Sequence, residues 1–116
     1  MPHPDIHTAS CRIAVVVPCY RVADQVLAVL AAIPPQVRKI YCIDDACPQA
    51  SGDHIIAHNH DPRVVVIRHA HNGGVGAATM SGYRAALADD MQLVVKIDGD
   101  GQMDPALIPR FVRLLM

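Results

Sequence analysis

Four short runs of apolar, mostly β-branched residues constrain the fold of this chain more than any other feature. The runs cover residues 12–17, 39–43, 64–68 and 92–97. Their length and their content of Val and Ile predict strands rather than buried helices. Because these strands are apolar throughout and alternate with stretches of helical spacing, we predict an α/β fold with the order βαβαβαβα. The sheet should be parallel and Rossmann-like, with helices on both faces.

The predicted helices lie between these runs and after the last one. They cover residues 23–33, residues 53–58, a stretch from the Gly-rich turn at 72–76 to about residue 88, and a last helix that begins near residue 104. Asp104 suits the N-cap of that last helix, with Pro105 in its first turn. Pro18 is expected to end the first strand, because proline lacks the N–H group that a ladder requires.

The loops after the four predicted strands carry the residues of a candidate site. They hold Tyr20 and Arg21, Asp44 and Asp45, residues 72–76, and residues 98–102. Right-handed crossovers place all such loops at one edge of a parallel sheet, where ligands bind outside the carboxyl ends of the strands. We therefore expect these four loops to form a single site.

The fourth loop begins with two carboxylates, Asp98 and Asp100, spaced two residues apart. In an extended backbone both side chains lie on one side, where they repel each other unless a cation lies between them. Oxygen ligands favour a hard divalent ion, so we predict a site for Mg²⁺ or Mn²⁺. An acidic turn that caps the next helix is the alternative, but both residues lie too far upstream of Asp104 to act as its cap.

Two other interpretations of this motif are weaker. A calcium-binding EF-hand loop requires Gly at its sixth position and Glu at its twelfth, where this chain has Met103 and Pro109. A phosphatase would use Asp98 as a nucleophile. Such sites normally lie on the first strand of their domain, whereas three strands precede this one.

Each of the other loops allows a structural and a ligand-binding interpretation. Residues 72–76 are either a flexible turn that packs a helix on the sheet or a ligand-facing loop at a helix N-terminus, where anions such as diphosphate bind. A dinucleotide-binding turn is disfavoured, because that fingerprint belongs after the first strand. Asp44 and Asp45 either contact a nucleotide or cap a helix. Arg21 suits a phosphate, but it is also an ordinary loop residue.

Composition excludes several classes of protein. The formal net charge is −1 and only four residues are aromatic, so neither phosphate attraction nor base stacking supports nucleic-acid binding. No apolar run approaches the roughly 20 residues of a membrane span. Residues 1–11 are expected to form a flexible leader without the apolar core of a signal peptide. The four cysteines include no CxxC pair and are expected to be reduced thiols of a cytoplasmic protein.

Taken together, four segments resemble family 2 inverting glycosyltransferases of the GT-A fold, in particular the dolichol-phosphate-mannose-synthase-like branch that makes polyprenyl-phosphate sugars. The resemblance covers residues 12–116. Residues 15–21 (VVVPCYR) look like that family's V-P-x-Y-N-E opening, and residues 43–47 (IDDAC) look like its D-D-G-S element. Residues 72–78 (NGGVGAA) are similar to its N-x-G-x-G-A segment, and residues 96–105 (KIDGDGQMDP) are similar to its D-x-D-x-Q-x-x-P metal motif.

The resemblance implies roles at matching positions. Asp98 and Asp100 would be the catalytic acids and, with Gln102, would hold Mg²⁺ or Mn²⁺ on the donor diphosphate. The nucleotide-sugar contacts would come from the other three loops, namely Pro18, Tyr20, Arg21, Asp44, Asp45, Asn72, Gly74 and Gly76. The chain departs from the family at Arg21-Val22, in place of Asn-Glu, and at Ala46-Cys47, in place of Gly-Ser. These departures bear on the ribose contacts and the donor base, not on the metal motif.

The implied reaction is metal-dependent sugar transfer with inversion from a nucleoside-diphosphate sugar to an acceptor such as polyprenyl phosphate. The resemblance also implies that residues 12–116 are the donor-binding portion of a longer enzyme at the cytoplasmic face of a membrane. This portion alone can therefore be inactive, and its uncovered apolar surface favours self-association. The alternative is a non-catalytic nucleotide- or metal-binding module of the same fold.

Overall fold

The computed structural model of the protein describes residues 11–99, which form four strands alternating with three helices. The strands are β1 (Ile13–Cys19), β2 (Val37–Asp44), β3 (Val64–Arg68) and β4 (Leu93–Lys96). The helices are α1 (Val26–Ala32), α2 (Ser51–His58) and α3 (Gly74–Ala88). The predicted order is confirmed through β4. Residues 1–10 of the predicted leader, the residues Asp100 and Gln102, and the helix expected after Asp104 lie outside the described residues. The leader was predicted to include Cys11, which is instead buried in the core.

The four strands form one parallel sheet with the order β3-β2-β1-β4. The chain moves outward from β1 to β3, and α3 then crosses back over β2 and β1 so that β4 lies on the other side of β1. The direction of winding therefore reverses between β1 and β4. Ligands of open α/β sheets bind in the crevice at such a reversal.

The predicted end of the first strand at Pro18 is wrong, because β1 continues to Cys19 and pairs with β2 at both residues. The carbonyl of Val16 accepts a hydrogen bond from Ile97 N, so alternate residues of β1 direct their backbone groups toward β4. Pro18 is the next residue in this alternation, and β4 has ended at Lys96. The missing N–H group therefore costs no ladder hydrogen bond.

Helices cover both faces of the sheet, as predicted. On one face, α1 and α2 pack against alternate residues of β1, with Val26, Leu30 and Ile55 buried in that core. On the other face, α3 packs its small residues against Val16 and Tyr41. A strand buried on both faces has no polar side, which explains why the strand sequences are apolar throughout.

The close approach of α3 to the sheet depends on a glycine. A Cβ atom at Gly82 would lie 2.3 Å from Cγ1 of Val16, which is far inside van der Waals contact. Ala78 and Ala86 are the other buried residues of the helix. This face of α3 therefore allows the helix to lie close to β1, and it places the first turn of α3 over the carboxyl edge of the sheet.

Two further predictions concern the whole described part. The four cysteines are free and buried, in agreement with the prediction of unpaired thiols. Among residues 11–99, none of the helices has the length and apolar character that a membrane crossing requires.

Candidate functional site

A cleft of about 510 Å³ opens at the carboxyl edge of the sheet, where the winding reverses. All four predicted loops contribute to its wall. The predicted site residues that line it are Pro18, Tyr20, Asp45, Asn72, Gly74 and Asp98. Residues from distant parts of the chain thus meet in one cleft, as the parallel topology requires.

Three predicted residues do not line this cleft. Arg21 has a left-handed backbone (φ 56°), and its guanidinium lies 5.4 Å from the centre of the Tyr20 ring. Asp44 points away into the loop before α2, and Gly76 lies in the first turn of α3 with open space around its Cα. Asp100 and Gln102 lie outside the described residues, so their roles stay predictions.

Asp44 organises the start of α2. Its Oδ1 accepts a hydrogen bond from Cys47 N at 2.8 Å, and its Oδ2 accepts one from Gly52 N at 2.9 Å. The carboxylate is buried, and a Cβ atom at Gly52 would lie 2.7 Å from Oδ2. In this conformation Asp44 has the helix-capping role that the sequence left as an alternative.

Asp45 organises the start of α3 instead. Its Oδ1 accepts hydrogen bonds from Gly73 N at 2.9 Å and from the His69 ring at 2.7 Å, and its Oδ2 accepts one from Gly74 N at 2.8 Å. Burial raises the pKa of the carboxyl, but the N–H groups of Gly73 and Gly74 and the His69 ring outweigh it, so the pKa lies below its usual value. Two of the N–H groups at the α3 N-terminus are therefore satisfied by a carboxylate of the protein itself.

The loop before α3 has a conformation that requires glycine. Gly74 has φ +90°, and its N–H group also lies 3.0 Å from the side-chain oxygen of Asn72. An L-residue with a side chain adopts such a φ only with strain. Asn72 and Gly74 thus shape this wall of the cleft through the backbone.

Asp98 lies at the opposite wall and is half exposed. Its Oδ1 is 2.9 Å from Nζ of Lys96, which is two residues earlier on the same side of the extended chain. A cleft-facing carboxylate at this place suits a hard divalent cation. Within residues 11–99, no three His, Cys, Asp or Glu side chains cluster closely enough to hold a metal ion. Asp100 and Gln102 follow Gly99 in the sequence, and whether they hold Mg²⁺ or Mn²⁺ together with Asp98 stays a prediction.

Sequence reasoning assigned no role to five residues of the cleft, namely Cys19, Val22, Val75, Ala78 and Gly99, although Val75 and Gly99 lie within predicted loops. Each is next to, or one helical turn from, a predicted residue, and most are apolar. Their spacing gave one usable signal, because Val75 and Ala78 are three residues apart and so share a face at the start of α3. The start of α3 therefore presents apolar side chains to the cleft.

Two thiols near the cleft differ in character. A hydrogen bond with Cys42 and burial raise the pKa of Cys19, so this cleft-lining thiol is protonated. Burial also raises the pKa of Cys47, but the Ser51 hydroxyl and the N–H groups of Arg21 and Ser51 outweigh it and lower that pKa. Cys47 Sγ accepts the Arg21 N–H at 3.0 Å and thus holds the loop after β1.

Comparison with known proteins agrees with this architecture. The model of the family described as Glycosyl transferase family 2 matches residues 14–116. The chain is 27% identical over 104 residues to an undecaprenyl-phosphate mannosyltransferase of Micrococcus luteus, covering 87% of this chain and 43% of that protein.

Among solved structures, TarS residues 1–349 of S. aureus in complex with UDP superpose with a TM-score of 0.71 and 17% sequence identity, covering 90% of this chain and 32% of that one. A second structure of TarS residues 1–349 gives a TM-score of 0.63 at the same identity and coverage. This likeness shows the fold, which is of the GT-A type, as expected. The chain spans less than half the length of each of these proteins. By the match over residues 14–116, it belongs to glycosyl transferase family 2.

Proposed function

We propose that this chain provides the donor-binding part of an enzyme that transfers a sugar, with inversion, from a nucleoside diphosphate to a polyprenyl phosphate. The observation that carries the proposal is the cleft at the winding reversal, which joins Asp45, Asn72 and Asp98 from three separate loops in a family 2 chain. Its volume of about 510 Å³ is in the usual range for a small-molecule site.

The two ends of the cleft suit different parts of the donor. Near β1 and α3 the wall is formed by Pro18, Tyr20, Val75 and Ala78, which offer apolar surface to a base and ribose. Two N–H groups at this end already bind Asp45, so they are not available to a diphosphate. The diphosphate therefore belongs at the Asp98 end.

At that end Asp98, Asp100 and Gln102 would hold Mg²⁺ or Mn²⁺. When bound, the metal neutralises charge that develops on the diphosphate as the bond to the sugar breaks. Asp98 and Asp100 would place the diphosphate so that the anomeric carbon faces the acceptor. Pro18 and Tyr20 would orient the nucleoside at the other end of the cleft.

The choice of acceptor is supported by the chemistry of the cleft and by the relative from Micrococcus luteus, whose name gives undecaprenyl phosphate. The carboxylates that line the described cleft are Asp45 and Asp98. Asp45 is saturated by the protein and Asp98 is assigned to the metal, so neither is a free general base. A phosphate acceptor needs little base catalysis, because its oxygen is already anionic, whereas a hydroxyl acceptor requires a base.

Such an acceptor would place the complete protein at the cytoplasmic face of a membrane. Met80 and Leu87 of α3 are exposed apolar residues that a further segment or a second copy can cover. Self-association of the chain stays a prediction, and sedimentation velocity across a concentration series tests it.

Calorimetric titration of UDP and GDP, with and without Mn²⁺, tests the donor site. We expect nucleotide binding that depends on metal and that weakens at least about tenfold in Asp98→Asn and Asp100→Ala, as is usual when a charged ligand is removed. The matched control is Asp53→Asn, since Asp53 is an exposed acid on α2 outside the cleft. Binding that is indifferent to metal and to both acids would contradict the metal site.

A second measurement separates an enzyme from a non-catalytic module of the same fold. The natural-length protein is incubated with GDP-mannose or UDP-glucose and undecaprenyl phosphate, and the lipid is analysed by mass spectrometry. Formation of a glycosylated lipid phosphate supports transfer. Metal-dependent nucleotide binding without any product over the same range of donors favours the non-catalytic alternative.

A further inference from the structure

His69 follows β3 directly and joins three elements through its ring and backbone. Its Nδ1 lies 2.7 Å from Oδ1 of Asp45, and its Nε2 lies 2.7 Å from Oγ of Ser81 in the middle of α3. Its backbone N–H donates to the carbonyl of Asp44 at 2.8 Å. The ring is mostly buried, so it is held between the end of β2 and the helix.

The partners of the ring determine which role each of its nitrogens has. The lowered pKa of Asp45 keeps that carboxylate ionised, and an ionised carboxylate only accepts hydrogen bonds. Nδ1 therefore carries a hydrogen that it donates to Asp45. Nε2 then accepts from the Ser81 hydroxyl when the ring is neutral, and donates to it when the ring is protonated. Both states keep the contact with Asp45.

Asp45 connects His69 to the cleft through its hydrogen bonds to the start of α3. The Asp45 side chain is 5% exposed, and its other partners are the N–H groups of Gly73 and Gly74. The start of α3 supplies Gly74, Val75 and Ala78 to the cleft wall. A change in the orientation of Asp45 would release the start of α3 and so change the width of the cleft.

Ser81, His69 and Asp45 have the connectivity of a hydrolase triad, but the surroundings exclude that chemistry. Ser81 lies inside α3, where the backbone N–H groups are used in helical hydrogen bonds and cannot serve as an oxyanion hole. It is also outside the set of described residues that line the cleft. The contact with Ser81 thus orients the ring rather than activating the hydroxyl.

We propose that His69 is a positioning residue for nucleotide binding, which holds the Asp45 carboxylate against Gly73 and Gly74 and so fixes the α3 wall of the cleft. The inference rests on the proposed function, because the nucleotide is the ligand of that cleft. His69 itself is outside the cleft lining, so it acts through Asp45 and not by contact with the ligand.

The test compares UDP affinity in the presence of Mn²⁺ for His69→Ala, His69→Asn and Ser81→Ala. The amide N–H of asparagine can replace Nδ1–H as a donor to Asp45, but the side chain is too short to reach Ser81. We expect UDP affinity to fall about tenfold in His69→Ala, the usual effect of losing a hydrogen bond to a charged group. His69→Asn and Ser81→Ala should stay within about threefold of the wild type, because both keep the bond to Asp45.

Tyr41→Phe provides the matched control for general loss of stability. The Tyr41 hydroxyl donates to Asp89 at 2.5 Å, at the opposite end of α3 from the cleft. We expect this variant to lower the unfolding temperature without changing UDP affinity. Equal losses of UDP affinity in Tyr41→Phe and His69→Ala, or in His69→Asn and His69→Ala, would overturn the proposal.

A readout without nucleotide separates this inference from the proposed function. Amide hydrogen exchange, followed by NMR, should be slow at Gly73 and Gly74 in the wild type, fast in His69→Ala and slow again in His69→Asn. Unchanged exchange in His69→Ala would overturn the positioning role. A wild-type protein that shows slow exchange but binds neither UDP nor GDP would contradict the proposed donor site, while the hold of His69 on α3 would stand.

Discussion

Lys96 Nζ lies 2.9 Å from Oδ1 of Asp98, so the acid expected to bind a metal is paired with a lysine of the preceding strand. The two side chains are 34% and 51% exposed, which allows the pair to open. A lysine at this place neutralises Asp98 in the absence of a divalent ion. It therefore competes with the ion that the family motif predicts.

Replacing Lys96 by Met should strengthen metal binding at the donor site. Because exposed ion pairs contribute roughly 1 kcal/mol or less, we expect Mn²⁺ affinity measured with UDP to rise by about two- to fivefold. The difference from the wild type should shrink as salt is added. Arg68→Met, which removes an exposed pair with Asp53 on α2, is the control and should have no effect. Weaker Mn²⁺ binding in Lys96→Met would mean that Lys96 contacts the ligand itself.

Replacing Asp44 by Asn should destabilise the fold. The amide keeps one acceptor and turns a donor toward one of the two N–H groups, so a buried N–H of Cys47 or Gly52 loses its partner. We expect the free energy of unfolding to fall by about 2 kcal/mol, as is typical for a buried unsatisfied group. Urea denaturation measures this, with Asp53→Asn as the control, because Asp53 is an exposed acid in the first turn of α2. A stable Asp44→Asn variant with impaired UDP binding would instead favour the nucleotide-contact role.

The Asp45 carboxyl should make stability depend on acid pH. Its folded-state pKa is lowered relative to its usual value, so the stabilisation is complete above the unfolded-state pKa of about 3.9. It is then lost as pH falls from that value through the lower folded-state pKa. Unfolding free energies of the wild type and Asp45→Asn between about pH 2 and 6 should therefore converge at the acid end.

Arg63 also lowers the pKa of Asp61. The pH dependence of the wild-type unfolding free energy therefore contains contributions of the same sign from Asp45 and Asp61. Asp61→Asn removes the second one, and comparison of the two variants assigns each part. The difference in unfolding free energy between the wild type and Asp45→Asn should vary across this pH range. A constant difference would mean that the Asp45 carboxyl has the same pKa in the folded and unfolded states, and the prediction would be wrong.

Two glycines of α3 should respond in opposite ways to alanine. A Cβ atom at Gly82 clashes with Val16, so Gly82→Ala should cost about 1–3 kcal/mol through overpacking. Gly76 has open space, and alanine there should stabilise the helix by roughly 0.5–1 kcal/mol. The double variant Val16→Ala with Gly82→Ala should recover part of the loss. Because Gly76 does not line the cleft, Gly76→Ala should also leave UDP affinity unchanged, and a clear loss would restore its predicted ligand contact.

The element order could be predicted because its signals are local. Strand and helix each follow from the spacing of apolar residues over a few positions, and a parallel sheet then assigns the loops to one edge. The continuation of the first strand through Pro18 could not be predicted. Whether Pro18 leaves a ladder position without its hydrogen bond depends on where β4 ends, and β4 lies some 75 residues further along the chain.

For the candidate site, too, one part could be predicted from the sequence and another part could not. The run from Asp98 to Gln102 and the pair Asp44-Asp45 were visible as polar residues after apolar strands, and the cleft includes Asp45 and Asp98. The role of each acid was not visible. Adjacent residues at a strand end face opposite sides of the sheet, so Asp44 reaches the start of α2 and Asp45 reaches the start of α3.

By itself, the sequence determined an α/β chain of the glycosyl transferase family 2 type, with its ligand edge at the ends of four strands. Only the tertiary structure decided that His69 holds Asp45 and contacts Ser81, because these side-chain partners are 24 and 12 residues away. A local pattern of apolar residues specifies whether a segment forms a strand or a helix. A hydrogen bond between distant residues exists only once packing has brought both groups out of water and into contact, as it does for His69, Asp45 and Ser81.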